Sequence, residues 1–218
     1  MSKFSIQTGM CPRCENMIEI NRWDSINVSL DPDMKNKVLD RSAFFVECPS
    51  CGLRFTINYG FLYHDMEKKY MLHYVQSEEE ELDVIRIYNS ADEENAVMRE
   101  SALMQGYLFR IVRSYNELIE KISIFDAGLD DRVMEIYKVL IELSGNDDQY
   151  DPEETRMLYD RPKGIDSILV VERNRLKATI PISMEMYGSL KDRYAGILSD
   201  DVKENLLINR EWIETHMK

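Results

Sequence analysis

The feature that most constrains this chain is the placement of its cysteines. All four lie in two C-P-x-C pairs, which are Cys11 with Cys14 and Cys48 with Cys51. Two residues between cysteines let the chain turn so tightly that both sulfurs face one point, and two such turns together make a tetrahedral four-sulfur site. Pro12 and Pro49 fix φ at about -65° inside each turn, which lowers the cost of ordering the loop. The spacing therefore predicts one zinc ion per chain, held by all four cysteines.

The two turns differ in the residues that follow them. Gly52 comes directly after the second pair and can take the positive φ that a tight metal-binding turn often requires. The first pair is followed by Glu15 and Asn16, and asparagine tolerates the left-handed region better than glutamate does. We therefore expect Asn16 to take this conformation in the first turn.

Three other uses of the cysteines compete with zinc. A thioredoxin-like dithiol normally opens a helix, whereas Cys51 is followed by GLRFTINYG, which alternates like a strand. Two disulfides need an oxidising compartment, and the N-terminal MSKFSIQTGMC lacks the apolar segment of a signal peptide. Iron stays open, because tetrahedral thiolate suits both metals. If four thiolates hold zinc, no position is left for water or substrate, and the site is structural.

The distribution of charge bears on the partners of the protein. The net charge is -13, and residues 1–75 contain nine basic and nine acidic residues. The whole acidic excess therefore lies in 76–218, where eighteen basic residues face thirty-one acidic ones. A surface this acidic opposes phosphate backbones, whose binding depends on clustered Lys and Arg. We expect no nucleic-acid partner.

Composition and hydropathy bear on the compartment. Hydrophobic residues make up 44% of the chain and charged residues 31%, which is typical of a globular protein. No apolar run approaches the ~20 residues that a membrane-spanning helix needs. We therefore expect a cytoplasmic protein with no membrane partner.

The segments around the cysteines predict a β-rich module over residues 1–76. β-Branched and aromatic residues favour strands at 17–30 and after the second cysteine pair. Asp31 as N-cap and Pro32 at the first helical position predict a short helix between them. A hairpin is predicted to turn at 65–68. Counting outward from that turn pairs His64 with Lys69 and Tyr63 with Tyr70. The module is predicted to be a zinc ribbon elaborated by an insertion between its cysteine pairs.

The remainder, 77–218, is predicted to be an acidic α+β domain. The glutamate run at 77–81 suggests a solvated boundary, and 82–89 alternates like a strand. A helix capped by Ser90 and Glu93 and a strand at 107–113 would complete a β-α-β unit. The fold class predicted for the whole chain is α+β.

Further along, two apolar stripes at helical spacing predict an αα-hairpin, with Gly128 ending the first helix and Asp130 capping the second. Residues 145–155 are rich in turn formers and predict a loop. A second β-hairpin is predicted at 167–182, and a helical tail is predicted from 184 onward. The stripes are Leu118, Ile119, Ile122 and Phe125, then Val133, Ile136, Tyr137, Leu140 and Ile141, and the tail carries Trp212 and Ile213 on its expected buried face.

The C-P-x-C pairs at this spacing, followed by FLYHDMEKKYMLHY, resemble the CpXC domain family of bacteria and archaea. The stretch VRSYNELIEKISIFDAGLDDRVMEIYK at 112–138 looks like the helical extension of full-length members. The resemblance covers about the first 140 residues. It implies a metal-binding module whose ligands are Cys11, Cys14, Cys48 and Cys51, and it implies no particular activity.

Two classes of function follow. The favoured one is a non-enzymatic protein whose zinc ribbon serves as an interaction module for a protein partner, with a homo-oligomer left open. The alternative is an enzyme of hydrolase or transferase type, with a site between the ribbon and the acidic domain near His64 and Asp65. Adjacent residues on a strand point to opposite faces, and an aspartate at a hairpin corner usually bonds its own backbone. Both arguments favour a structural role for this pair.

Overall fold

A computed structural model describes residues 1–90, 92–144, 154–200 and 205–216. Packing divides the chain into two compact units, Met1–Ser114 and Tyr115–Lys218, and both contain helices and strands. The predicted mixture of α and β structure is therefore confirmed. This division falls later in the chain than the one proposed after residue 76. Among the described residues, no helix combines the length and the apolar character needed to cross a bilayer.

Strands dominate the first unit. They are β1 (Lys3–Met10), β2 (Met17–Asn27), β3 (Phe45–Glu47), β4 (Arg54–Thr56), β5 (Phe61–Asp65), β6 (Tyr70–Tyr74) and β7 (Leu108–Val112). Five of them form one sheet in the order β1-β2-β5-β6-β7, while β3 and β4 form a separate hairpin. Within the large sheet, β1–β2 and β5–β6 are antiparallel, whereas β2–β5 and β6–β7 are parallel.

Helices α1 (Asp33–Leu39), α2 (Glu78–Tyr88) and α3 (Glu93–Met104) connect these strands. The short helix expected after Asp31 is confirmed as α1, but the role of Asp31 as its N-cap is wrong. Pro32 occupies the N-cap position. The Asp31 carboxylate instead accepts a hydrogen bond of 2.6 Å from the backbone N–H of Ser2, which ties the N-terminus to the start of α1.

The strand predicted at 82–89 is wrong, because these residues belong to α2. The hydroxyl of Ser77 caps this helix by accepting a 3.2 Å hydrogen bond from the N–H of Glu80. The glutamates fill the first turn, where carboxylates interact favourably with the helix dipole. The acidic run is therefore a helix start inside the first unit. Together α2 and α3 form the crossover between the parallel strands β6 and β7.

The predicted register of the β5–β6 hairpin is wrong by two residues. His64 lies opposite Met71, and Asp65 lies opposite Tyr70. The loop is longer than predicted, because Lys69 takes a positive φ of 58° and joins the turn rather than the strand.

The second unit contains both predicted hairpins. Its elements are α4 (Tyr115–Asp126), α5 (Asp131–Ser144), β8 (Thr155–Asp160), β9 (Ser167–Glu172), β10 (Arg175–Pro181), α6 (Met184–Arg193), α7 (Ala195–Asp200) and α8 (Arg210–His216). The αα-hairpin is confirmed: Gly128 has a φ of 72°, and the Asp130 carboxylate accepts a hydrogen bond of 2.9 Å from the N–H of Arg132. The helical tail is confirmed too, and Trp212 and Ile213 are buried as expected.

The sheet of the second unit has the order β10-β9-β8. The predicted hairpin at 167–182 is confirmed as β9 and β10, with Arg173 and Asn174 at positive φ in its turn. Strand β8 was not predicted. It pairs antiparallel with β9 directly after the loop expected at 145–155, most of which lies outside the described residues.

A network of buried charges joins α4 to α5. The Nζ of Lys121 lies 3.0 Å from Asp131 and 3.6 Å from Glu135. The Nζ of Lys138 lies 2.6 Å from Glu120 and 2.9 Å from Glu135. All five residues are more than nine-tenths buried. Burial raises the pKa of Glu120, and the nearby Lys138 ammonium opposes this effect. Burial alone would lower the pKa of Lys138, but the two carboxylates raise it above its ordinary value.

The same network holds two distant segments of the backbone. The Glu120 carboxylate accepts a 2.6 Å hydrogen bond from the N–H of Tyr159 in β8. The Lys121 ammonium donates a 2.8 Å hydrogen bond to the carbonyl of Ile208, shortly before α8. The buried charges thus connect the αα-hairpin both to the sheet and to the C-terminal segment.

We predict that Lys121→Met destabilises the second unit by about 3–5 kcal/mol, because it leaves the buried carboxylates of Asp131 and Glu135 without this cation. Lys177→Met is the matched control, since it makes the same change in the exposed ion pair with Glu172 and should cost about 0–1 kcal/mol. Urea unfolding followed by helical circular dichroism measures both. Equal losses of stability in the two variants would contradict a stabilising role for the network.

Candidate metal centre

Each cysteine pair forms the turn of a β-hairpin. The first pair lies between β1 and β2, whose last paired residues are Met10 and Met17. The second lies between β3 and β4, where Glu47 pairs with Arg54. Strand pairing on both sides of each turn fixes where the cysteines lie. The structure therefore supports the ribbon-like arrangement predicted from the cysteine spacing.

The two turns have the same backbone geometry. In the first, the N–H of Cys11 donates to the carbonyl of Asn16 at 2.9 Å, and the N–H of Glu15 donates to the carbonyl of Cys11 at 3.0 Å. In the second, Cys48, Gly52 and Leu53 make the equivalent two bonds, both of 2.9 Å. A repeated turn of this kind is typical of the knuckles that hold a metal between cysteine pairs.

The residue at positive φ in the first knuckle is Glu15, with φ of 61°, and Gly52 is its counterpart at 67°. The expectation that Asn16 takes this conformation is therefore wrong. The matching hydrogen bonds of the two knuckles explain why Glu15, rather than Asn16, has a positive φ. In each pair, the residue directly after the second cysteine must donate its N–H to the carbonyl of the first cysteine. That requirement fixes the position of the positive φ whatever side chain occupies it.

The four sulfurs converge on one point. The Sγ atoms of Cys11 and Cys51 are 3.7 Å apart, and those of Cys14 and Cys48 are 3.6 Å apart. All four lie within 4.8 Å of one another. A tetrahedron with metal–sulfur bonds of about 2.3 Å has edges of about 3.8 Å, so the set fits a bound zinc-sized ion. These distances are far longer than the ~2.05 Å of a disulfide, and the four cysteines are free.

Apolar side chains surround the sulfurs. Cys11 and Cys48 are fully buried, while Cys14 and Cys51 are partly exposed. The shell consists of Ile18, Ile20, Val46, Leu53 and Phe55. These residues were not predicted from the sequence, although alternating apolar residues follow each cysteine pair, at Ile18 and Ile20 and at Leu53 and Phe55. A shell of this kind keeps water from the inner side of the site and lowers the local dielectric.

The protonation of the sulfurs also favours a cation. Burial raises the pKa of Cys11, but hydrogen bonds from the backbone of Arg13 and Cys14 and from the Cys48 side chain lower it to about 6. The pKa of Cys48 is lowered as well, since backbone hydrogen bonds from Cys51 and Ser50 outweigh its burial.

Cys14 behaves in the opposite way. A backbone hydrogen bond from Asn16 lowers its pKa, but burial and the neighbouring sulfurs raise it to about 12. Four clustered thiolates repel one another, so a divalent cation is the species that lets all of them ionise together.

This donor set determines what the site can do. Four thiolates complete a tetrahedral coordination sphere, so a metal bound here keeps no open position for water or substrate. The cysteines lie in hairpin turns rather than at a helix start, which is unlike the arrangement of a thioredoxin-like dithiol. The site can bridge two hairpins and stabilise both.

His64 and Asp65 do not form a site together. His64 Nδ1 lies 3.4 Å from the side-chain amide of Asn27, and its Nε2 lies 3.3 Å from the hydroxyl of Tyr107. Burial lowers the pKa of His64, which favours the neutral imidazole. Asp65 is buried, and its side chain alternates to the other face of the sheet.

The Asp65 carboxylate is engaged within its own hairpin and with α1. It accepts a 3.0 Å hydrogen bond from the N–H of Lys68, and its other oxygen lies 3.7 Å from the ammonium of Lys35. The expectation that this aspartate bonds the backbone of its own turn is confirmed.

A family model described as "CpXC protein" matches residues 10–138, which is more than half of the chain and includes all four cysteines. The resemblance drawn from the sequence is thereby confirmed. Compared with curated proteins and with solved structures, the chain has no match.

We predict that Glu15→Gly stabilises the metal-loaded protein by about 0.5–1 kcal/mol, because glycine takes positive φ without the steric cost that glutamate meets. Asn16→Gly is the control: its φ is not positive, so glycine there should give no gain. Thermal unfolding at fixed excess zinc measures both variants. A larger gain from Asn16→Gly would contradict the assigned knuckle geometry.

Proposed function

The chain belongs to the CpXC family, and we propose that it is a non-enzymatic zinc protein whose ribbon is a protein-interaction module. One zinc ion per chain is held by Cys11, Cys14, Cys48 and Cys51. The convergence of four sulfurs from two separate hairpin turns is the observation that carries the proposal. A closed set of four thiolates suits a structural ion better than a catalytic one.

The metal is needed because the apolar cluster around the cysteines is small. Besides the cysteines, the side chains that pack there are Ile18, Ile20, Val46, Leu53 and Phe55. A cluster of this size contributes little stability alone, and small modules often depend on a metal for folding. Zinc supplies a link between hairpins that are far apart in sequence.

The interaction role is supported by apolar side chains that the ribbon leaves exposed. Phe4, Ile6, Met10, Met17 and Phe45 each have about half or more of their surface accessible. A concentration of exposed apolar residues on one small module is typical of a protein-binding surface. The net charge of -13 makes a nucleic-acid partner unfavourable.

The enzyme alternative places a hydrolase- or transferase-type site near His64 and Asp65 and uses one or the other of them. Their opposite orientation in β5 does not favour joint action, and a hydrogen bond and an ion pair already engage the Asp65 carboxylate. The interaction module is therefore the better supported of the two functions.

The metal requirement is tested by Cys48→Ser. We predict about one zinc per chain in the purified protein and a loss of zinc affinity of more than about 100-fold in the variant, since a serine hydroxyl is a poor substitute for a thiolate. Ser50→Ala, in the same knuckle, is the control and should keep its metal. Elemental analysis measures zinc and iron together. A folded wild-type protein with four free thiols and no metal would overturn the proposal, and stoichiometric iron would correct the metal.

The interaction role is tested with the same three proteins as baits. Partners captured by the wild type and by Ser50→Ala should be lost with Cys48→Ser. Capture that is independent of the metal site would show that the ribbon is not the binding module.

We also predict that removing zinc affects the two units differently. A strong chelator should unfold the ribbon, while the helical circular dichroism of residues 115–218 should persist, because that unit is held by its own apolar stripes and buried charges. A thermal melt with and without chelator, followed by circular dichroism and light scattering, makes the comparison. A single cooperative transition that disappears entirely on chelation would contradict independent stability of the two units.

A further inference from the structure

Strand β1 is the free edge of the five-stranded sheet. It pairs with β2 on one side and, among the described residues, with no strand on the other. An edge strand presents a row of backbone N–H and C=O groups that can pair with another strand. At eight residues, β1 is longer than the average strand.

This edge lacks the features that usually prevent association. Its sequence, KFSIQTGM, contains no proline, and its single charge, Lys3, stands at the very start. The irregularity in its pairing with β2 also falls at this end, between Lys3 and Phe4. The remaining strand is regular and uncharged, and such edges pair readily with other strands.

The strand also exposes apolar side chains on one face. Phe4, Ile6 and Met10 alternate along β1 and are 49%, 62% and 63% exposed. Met17 lies directly opposite Met10 on β2, and the ring of Trp23 lies 5.1 Å from that of Phe4. On β2 this face is apolar at its two ends, at Met17 and Trp23, while Asn21 and Glu19 lie between them.

We propose that two copies of this chain associate through β1, which pairs antiparallel with the β1 of the second copy to form one continuous sheet. This inference rests on the proposed interaction role of the ribbon and names both its surface and its partner.

Symmetry favours a second copy of this chain as the partner that pairs with β1. Two antiparallel edge strands are related by a two-fold axis perpendicular to the sheet, and this operation keeps each side chain on its own face. Phe4, Ile6 and Met10 of both copies therefore join in one apolar stripe. With the axis at Gln7, Phe4 of one copy lies opposite Met10 of the other, so the large side chains pair across the axis.

Charge is compatible with the same partner. Residues 1–14 contain Lys3 and Arg13 and no acidic residue, in a chain whose net charge is -13. Two copies of net charge -13 repel each other at long range, but salt screens this repulsion, and the paired edges bring no carboxylates together. In the antiparallel pair the two Lys3 side chains lie about 27 Å apart along the strands, well beyond the ~8 Å Debye length at physiological salt.

The test uses the full-length, zinc-loaded protein in analytical ultracentrifugation at tens of micromolar. The wild type should sediment as a dimer of the 25.7 kDa chain. Ile6→Lys places two like charges near the axis and should raise the dimer dissociation constant at least about tenfold, equivalent to ~1.4 kcal/mol. Hydrogen exchange should protect residues 3–10 more strongly as the protein concentration rises, and this added protection should be lost in the variant.

Val97→Lys is the matched control. Val97 is 65% exposed on α3, and the change introduces the same charge on a different apolar face, so the dimer should persist. A monomeric wild type overturns the proposal. So does a dimer that Ile6→Lys leaves intact, or one that Val97→Lys disrupts instead, since α3 would then be the interface.

Zinc content separates the two proposals. Ile6→Lys protein that keeps one zinc and becomes monomeric supports β1 pairing. A zinc-loaded, monomeric wild type that captures another protein through the ribbon overturns β1 self-pairing and leaves the interaction role standing. Folded protein that binds no metal overturns the proposed metal role, whatever its oligomeric state.

Discussion

The convergence of four cysteine sulfurs is the constraint on which the first half of this chain depends. The β1–β2 and β3–β4 hairpins belong to different sheets, and the sulfurs of Cys11 and Cys51 bring their turns to within 3.7 Å. The apolar shell around them is small, and the other contacts between the hairpins include the hydrogen bond from Trp23 Nε1 to the carbonyl of Ala43, just before β3. A metal bound here would hold the turns of the two hairpins at a fixed distance from each other. The positions at which their strands begin would then be fixed as well.

Local chemistry explains which parts of this arrangement were predictable. Two residues between cysteines determine that both sulfurs face one point, so the ligands follow from spacing alone. The conformation of Glu15 did not follow, because residue preference favours Asn16 while the hydrogen bond back to Cys11 determines which position takes positive φ. Preference is a weak guide where the metal-binding turn dictates the backbone.

The errors elsewhere have similar causes. In LDVIRIYN the apolar residues fit both a strand and a helix over so short a run, and the cap at Ser77 decides for the helix. The register of the β5–β6 hairpin depends on whether Lys69 belongs to the turn, which its positive φ decides. The buried ions of the second unit, such as Lys121 and Glu120, were not predicted, because a search for apolar stripes takes no account of charged residues.

The two units thus reach a defined structure by different means, and the difference bears on association. In the second unit Lys121 and Lys138 satisfy carboxylates internally, so we expect its order to be independent of a metal. In the first unit β1 runs directly into Cys11, and the pairing of Met10 with Met17 beside the knuckle sets the register of the whole β1–β2 hairpin. A one-residue slip would turn Phe4 and Ile6 to the opposite face. A metal that closes the knuckle would therefore also help to determine which face of the free edge is apolar, and binding through that edge would then depend on the metal even though no partner touches it.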